Sequence, residues 1–125
     1  MKGIAILALS VPLAACAATT NAPLVENGYP RGSLAVAAID RGDLVAAERR
    51  LTTDTHLDRD NPARLVNLAH VYAETGRTAE ALALWEQVLT LEDEDELETL
   101  SGRETSTHRA ARAALARYRT AALTN

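Results

Sequence analysis

Phenylalanine is missing from this 125-residue chain, and cysteine, methionine and tryptophan each occur once. Three tyrosines complete the aromatic set. A core built mainly on large rings is thereby excluded, and alanine stands in for them. Alanine favours helix and close backbone approach, which points to a small all-helical protein with tight helix packing. A single cysteine, Cys16, excludes an internal disulfide even in an oxidising compartment. Lysine occurs only at Lys2, so every later positive charge is an arginine, set among seventeen acids. The net charge of −4 offers nucleic acid no electrostatic attraction. No phosphate-cradling glycine loop, G-x-S-x-G elbow or spare cysteine nucleophile is present, so no catalytic residue is assigned and an enzyme is not expected.

A mostly apolar run follows Lys2 and reaches only from Ile4 to Ala15. That is too short for a membrane-spanning helix, which needs about 20 residues, so the segment 1–15 reads as a signal peptide. The run closes on "LAAC", Leu13 to Cys16, which resembles the lipobox of bacterial lipoproteins. The resemblance implies that the Cys16 thiol carries a diacylglyceryl group and that the mature chain begins there. Ala17, rather than aspartate, follows the cysteine, which in that family implies the periplasmic face of the outer membrane. Ordinary cleavage after Ala17, giving a soluble periplasmic protein, is the alternative. Residues 16–32 mix Thr, Asn, Pro and Gly with little periodicity and read as a tether.

Residues 33–95 contain an internal repeat. One constant offset separates Leu34 from Leu68, Ala35 from Ala69, Gly42 from Gly76, Ala47 from Ala81, Leu51 from Trp85, and Leu57 from Leu91. In the second copy, Leu65, Leu68, Ala69 and Tyr72 form an amphipathic helical stripe. Asn61 is placed to cap that helix, Pro62 fits its first turn, and Gly76 supplies its left-handed end. A second stripe follows through Ala81, Leu82, Trp85, Val88 and Leu89, with Thr78 as its expected cap. Asp43 is the expected cap in the first copy. Tyr72 and Trp85 read as packing residues rather than as a binding box.

These positions resemble the tetratricopeptide repeat (TPR) family: Leu65-x2-Leu68-Ala69-x2-Tyr72, then Gly76, Ala81 and Trp85. Leu65, Val88 and Asp93 depart from its pattern, and the first copy is weaker, with Ala38 and Leu51 at the two aromatic positions. The resemblance implies two helix–turn–helix pairs forming a fragment of an α-solenoid, and a concave face that binds polypeptides. On this chain that face would present Val36, Ile39 and Asp40 from the first pair. The second pair would contribute Ala63, Val66, Asn67, His70, Ala73 and Glu74. Gly32 and Val36 stand where some family members place carboxylate-clamp residues, so no clamp is expected.

Six acids lie between Glu92 and Glu98, without the glycine-centred ligand spacing of a calcium loop, and read as a solvated helix end. Residues 96–105 form either an acidic linker or a small hairpin turning at Ser101-Gly102. Residues 106–125 read as a closing helix capped by Ser106 or Thr107. Its expected small-residue face runs through Ala110, Ala113, Ala114, Ala116 or Arg117, and Tyr118. Arg109, Arg112, Arg117 and Arg119 form its basic face, which either binds an anionic lipid or an acidic partner or is solvated and paired with the protein's own acids. Among His56, His70 and His108, none lies in an HExxH pattern; His70 with Glu74 at i+4 is one possible ligand pair with no third member nearby in sequence, and a catalytic zinc needs three protein ligands. No metal and no cofactor are expected. Two repeats are few for an independent solenoid, which favours docking to a partner or, as an alternative, a homodimer. The sequence therefore reads as an envelope protein that binds another polypeptide.

Overall fold

The computed structural model describes residues 28–53 and 57–124. The expected signal peptide, Cys16, most of the tether and His56 lie outside these residues. Five helices and one hairpin follow in order. They are α1 (Val36–Asp40), α2 (Leu44–Thr53), α3 (Pro62–Glu74), α4 (Thr78–Thr90), β1 (Glu96–Glu98), β2 (Glu104–Ser106) and α5 (Thr107–Leu123). The fold is all-α and solenoid-like, with a minor two-stranded sheet.

The repeat is visible atom by atom at the two interhelical turns. Gly42 and Gly76 both take left-handed conformations, at φ 73° and 82°. After each, the next backbone amide returns to a carbonyl in the last turn of the preceding helix: Asp43 to Ala38 at 2.9 Å and Arg77 to Tyr72 at 2.8 Å. Each glycine amide closes the inner ring, on Ile39 and Ala73. This double closure satisfies carbonyls that a helix end leaves without partners, and it needs a left-handed residue at its centre. Asp43 Oδ1 accepts from the Ala46 amide at 3.1 Å, and Asn61 Oδ1 from the Arg64 amide at 2.9 Å, as expected of caps. Thr78 does not cap α4. It is the first helical residue, and the preceding Arg77 contributes no side-chain cap.

The first copy departs from the second at its opening helix. Residue 28 corresponds by repeat to Pro62, yet α1 begins only at Val36. Gly32, at φ 85°, sits where Val66 lies in mid-helix, so the chain makes turns instead. The Ser33 amide bonds to the Pro30 carbonyl at 3.0 Å and the Ala35 amide to Gly32 at 3.1 Å. The expected tether thus ends earlier than Gly32, because Tyr29 already packs against the core and its hydroxyl bonds to the Asp95 carboxylate.

Two apolar clusters hold the array together. One joins α1, α2 and α3 through Ala38, Ile39, Ala47, Leu51, Leu68 and Val71. The larger one centres on Trp85, fully buried, whose ring lies 5.2 Å from that of Tyr118. Leu97 of the hairpin and Ala111, Ala114 and Leu115 of α5 belong to it. The buried stripe of α5 therefore runs through Thr107, Ala111, Ala114 and Leu115, with the expected Ala110 and Tyr118 packed partly buried at its edge and Ala113 off it. Ala113 and Ala116 are exposed. Leu115 is the largest apolar group on that stripe, and seating it turns the helix away from an all-alanine contact.

The hairpin does form, with Glu96, Leu97 and Glu98 opposite Ser106, Thr105 and Glu104. A lone hairpin is marginal, and this one is secured by burying Leu97 and by bonding to α5. The Thr107 amide donates to the Asp95 carbonyl at 3.0 Å, and the Asp95 amide to Thr107 Oγ1 at 3.3 Å. Ser106 Oγ caps α5 through the Arg109 amide at 3.1 Å. The acidic run is thus more than a solvated end. Glu94 lies 3.7 Å from His108 Nδ1, and its carboxyl is held below the usual carboxylate range by the Ser106 side chain and by nearby positive groups. Carboxylates at a helix N-terminus are favoured by the helix dipole.

Candidate interaction surface

The TPR resemblance placed the outward side of α3 in a concave groove. Only one end of it is open. Ala63 and Asn67 are fully buried and Val66 is 5% exposed. The cluster that encloses Ala63 and Val66 also contains Leu34, Leu97, Ala111 and Ala114, with Tyr29 packed against it. The Asn67 amide donates to the Leu34 carbonyl at 2.9 Å. The truncated first helix explains this burial. Where a longer α1 would stand off from α3, the turns at 30–35 bring Leu34 onto its surface. Burial of a polar amide is tolerated when it is hydrogen-bonded, and the Leu34 carbonyl supplies the acceptor. Ala63, Val66 and Asn67 are therefore core residues rather than contact residues, and so is Ile39, at 8% exposure.

The other expected residues remain accessible to different degrees. Val36, His70 and Ala73 are half-buried, while Asp40 and Glu74 are exposed. His70 has its pKa lowered, first by desolvation and further by the Arg117 charge, with Glu74 acting in the opposite sense. Its neutral form is thus favoured in the folded state. That contribution to stability is full above the ordinary value of 6.5 and is lost as pH falls below it. Arg117 is exposed and lies over the Tyr118 ring at 5.7 Å, and burial together with the Glu74 charge raises the Tyr118 pKa. The open end of the α3 face is therefore framed by a histidine, a carboxylate, an arginine and a tyrosine from two helices. The basic face of α5 was legible in the sequence as a surface for an acidic partner, but its position beside the α3 face was not.

The remaining arginines of the closing helix divide between solvent and self-pairing. Arg119 pairs with Glu86 on α4. Between the repeats, Arg77 grips Glu48 of α2 with both terminal nitrogens, at 3.0 and 2.5 Å, and lies 4.1 Å over the Tyr72 ring. Among the described residues no group of three or more His, Cys, Asp or Glu side chains could hold a metal ion, and His70 with Glu74 gains no third ligand. No described helix is long and apolar enough to cross a membrane.

Regularly repeated helix pairs, with glycine-closed turns and a small-residue seam, set the context for comparison with known families. Residues 28–51 and 62–87 match the tetratricopeptide repeat. The matched stretches cover the two helix pairs, so this part of the chain is similar to a pair of TPR repeats, followed by a closing helix. TPR arrays generally mediate protein–protein interaction, and they are typically not enzymes. No curated protein and no solved structure matches the chain. The first TPR match begins at Gly28, ahead of α1, so it includes the turns at 30–35 that replace the first part of a repeat helix.

Proposed function

We propose that this TPR-like protein is a polypeptide-binding module of the cell envelope that holds its partner at the open end of the α3 face. The supporting observation is the grouping of His70, Ala73 and Glu74 of α3 beside Arg117 and Tyr118 of α5. Apolar, cationic and anionic groups stand side by side there, and the deeper part of the face is already filled by the chain's own Leu34. Such a surface suits a short extended or helical segment carrying both charge signs, not a long peptide laid along the whole groove. Exposed pairs add specificity and association rate more than affinity, so binding at this surface is salt-sensitive.

The envelope location rests on the sequence: the export-type segment and the lipobox-like "LAAC" ending at Cys16. Acylation there would hold the array at the periplasmic face of the outer membrane, because two or more acyl chains anchor a protein stably where one does not. Intact mass of the membrane-bound protein tests this. A diacylated N-terminal Cys16 is expected, and an unmodified thiol or a chain starting at Ala18 would remove the anchor. For the binding surface, the test is partner capture from intact envelopes by crosslinking with the double variant Glu74→Arg, Arg117→Glu. Both residues are exposed, so the fold should survive. Loss of capture with unchanged helicity is expected; undiminished capture would refute the site.

A further inference from the structure

We infer that the hollow between α1 and α2 is a second docking site, one that receives an acidic amphipathic helix of a partner protein. The hollow measures about 420 Å³ and has an alanine floor of Ala37, Ala38 and Ala46, with Arg41, Arg49 and Arg50 around it. All three arginines are exposed. Among the described residues no carboxylate forms an ion pair with any of them.

The repeat itself shows what this face accepts. Ala37 and Ala38 correspond, one repeat on, to Val71 and Tyr72. In the second repeat that surface is covered by a helix: Val71 and Tyr72 pack with Ala47 and Leu51 of α2. At the margin of the same joint, Glu48 of α2 delivers its carboxylate to Arg77 at 3.0 and 2.5 Å. The internal joint is thus a helix with small apolar groups at its centre and a carboxylate at its rim, received by an arginine. The first repeat offers a corresponding seat with nothing described upon it, but Asp43 stands where Arg77 receives the carboxylate, so an acidic occupant would be met by the other arginines of this face.

Its differences from the second repeat define the occupant. Alanines in place of Val71 and Tyr72 deepen the seat. Arg41, Arg49 and Arg50 stand where the second repeat has Thr75, Ala83 and Leu84, so three positive charges replace neutral groups. A helix bearing several carboxylates around a small apolar centre complements that rim, since arginine forks recognise carboxylates in paired hydrogen bonds. A second copy of this chain is a poorer match. Its acid-rich segment, 92–98, is a linker and a strand rather than a helix. This surface lies on α1 and α2, apart from Glu74 and Arg117, so the two sites can fail separately.

The test uses the purified full chain and two synthetic alanine-based helical peptides. One carries glutamates at i, i+3, i+4 and i+7, the other glutamines at the same places. At least ten-fold tighter binding of the glutamate peptide is expected, weakening with salt and shifting backbone NMR signals within residues 36–53. Arg41→Glu with Arg49→Glu should abolish it while circular dichroism stays unchanged. Arg50 is left in place because its guanidinium lies against the Gly32 backbone. Equal binding of the two peptides would overturn the proposal. So would binding that survives the double substitution with shifts on α5 instead. Self-association of the protein alone, lost in the same variant, would assign the hollow to a second copy and overturn the partner-helix assignment.

Discussion

Replacing Trp85 with alanine is the most direct perturbation of the packing described above. The indole is fully buried at the meeting point of α3, α4 and α5 and sits against Tyr118 at a ring separation of 5.2 Å. Large aromatic truncations in cores cost about 3–5 kcal/mol, which includes the cavity left behind. Two local features adjust that figure in opposite directions. The aromatic pair adds about 0.5–1.5 kcal/mol beyond its burial. Against this, Trp85 Nε1 is buried without a hydrogen-bond partner, a situation worth about 1–3 kcal/mol that the substitution relieves. At mid-range the relieved N–H outweighs the ring pair by about 1 kcal/mol, leaving an expected loss of about 3 kcal/mol. For a domain of this size that lowers Tm by roughly 12–24 °C. Urea unfolding followed by far-ultraviolet circular dichroism is the suitable assay, because the substitution removes the only tryptophan and its fluorescence. Trp85→Phe provides the second arm. It keeps a ring beside Tyr118, removes the unpaired N–H, and should cost clearly less than the alanine variant. A loss below about 1 kcal/mol for Trp85→Ala would refute the reasoning, since a core residue cannot be deleted that cheaply.

Three further outcomes follow from single contacts. Gly76→Ala should destabilise by about 1 kcal/mol, because the left-handed backbone, not crowding, is the constraint there: nothing lies within 4 Å of the added Cβ. A chemical denaturation series checks it. Asn67→Ala should cost about 1–3 kcal/mol by leaving the buried Leu34 carbonyl without that donor, and hydrogen exchange at residues 30–35 should rise with it. The Tyr29 hydroxyl is pushed up to about 12, first by burial and then by the Asp95 carboxylate. An acid whose pKa is raised on folding stabilises the protein fully below its unfolded value and loses that contribution as pH rises. Stability should therefore fall between about pH 10 and pH 12 in the native protein and fall less in Tyr29→Phe, as read by urea midpoints across that range.

Most of the helical array was legible in the residues because several independent signals agreed. The repeat spacing, the glycines at 42 and 76 and the caps at Asp43 and Asn61 all recur as bonded geometry. Trp85 was readable as a packing residue because it falls on the same stripe as Ala81 and Val88. The binding face was much less legible. Assigning Val66 and Asn67 to a groove assumed that the first repeat's opening helix would be whole. Gly32 defeats that assumption, since a left-handed residue in what would be mid-helix bends Leu34 and Tyr29 onto α3. The hydrogen bond from Tyr29 to Asp95 joins distant parts of the chain, and no periodicity encodes such a contact. The acidic run misled for a related reason. Its charges signal solvent, but Leu97 within it is a core residue and Asp95 bonds at both its side chain and its backbone. The hollow at α1 and α2 was also invisible, because an alanine-rich stripe announces close packing whether or not a neighbour is there.

The central proposal is that this TPR-like array binds another polypeptide at the open end of the α3 face. A photo-crosslinking residue placed at Glu74 in intact envelopes tests it most directly, with the same residue at exposed Ala79 on α4 as the comparison. The account predicts a discrete protein adduct from position 74, absent from position 79 and lost when Arg117 is changed to glutamate. Adducts formed equally from both positions, or from position 79 alone, would contradict it.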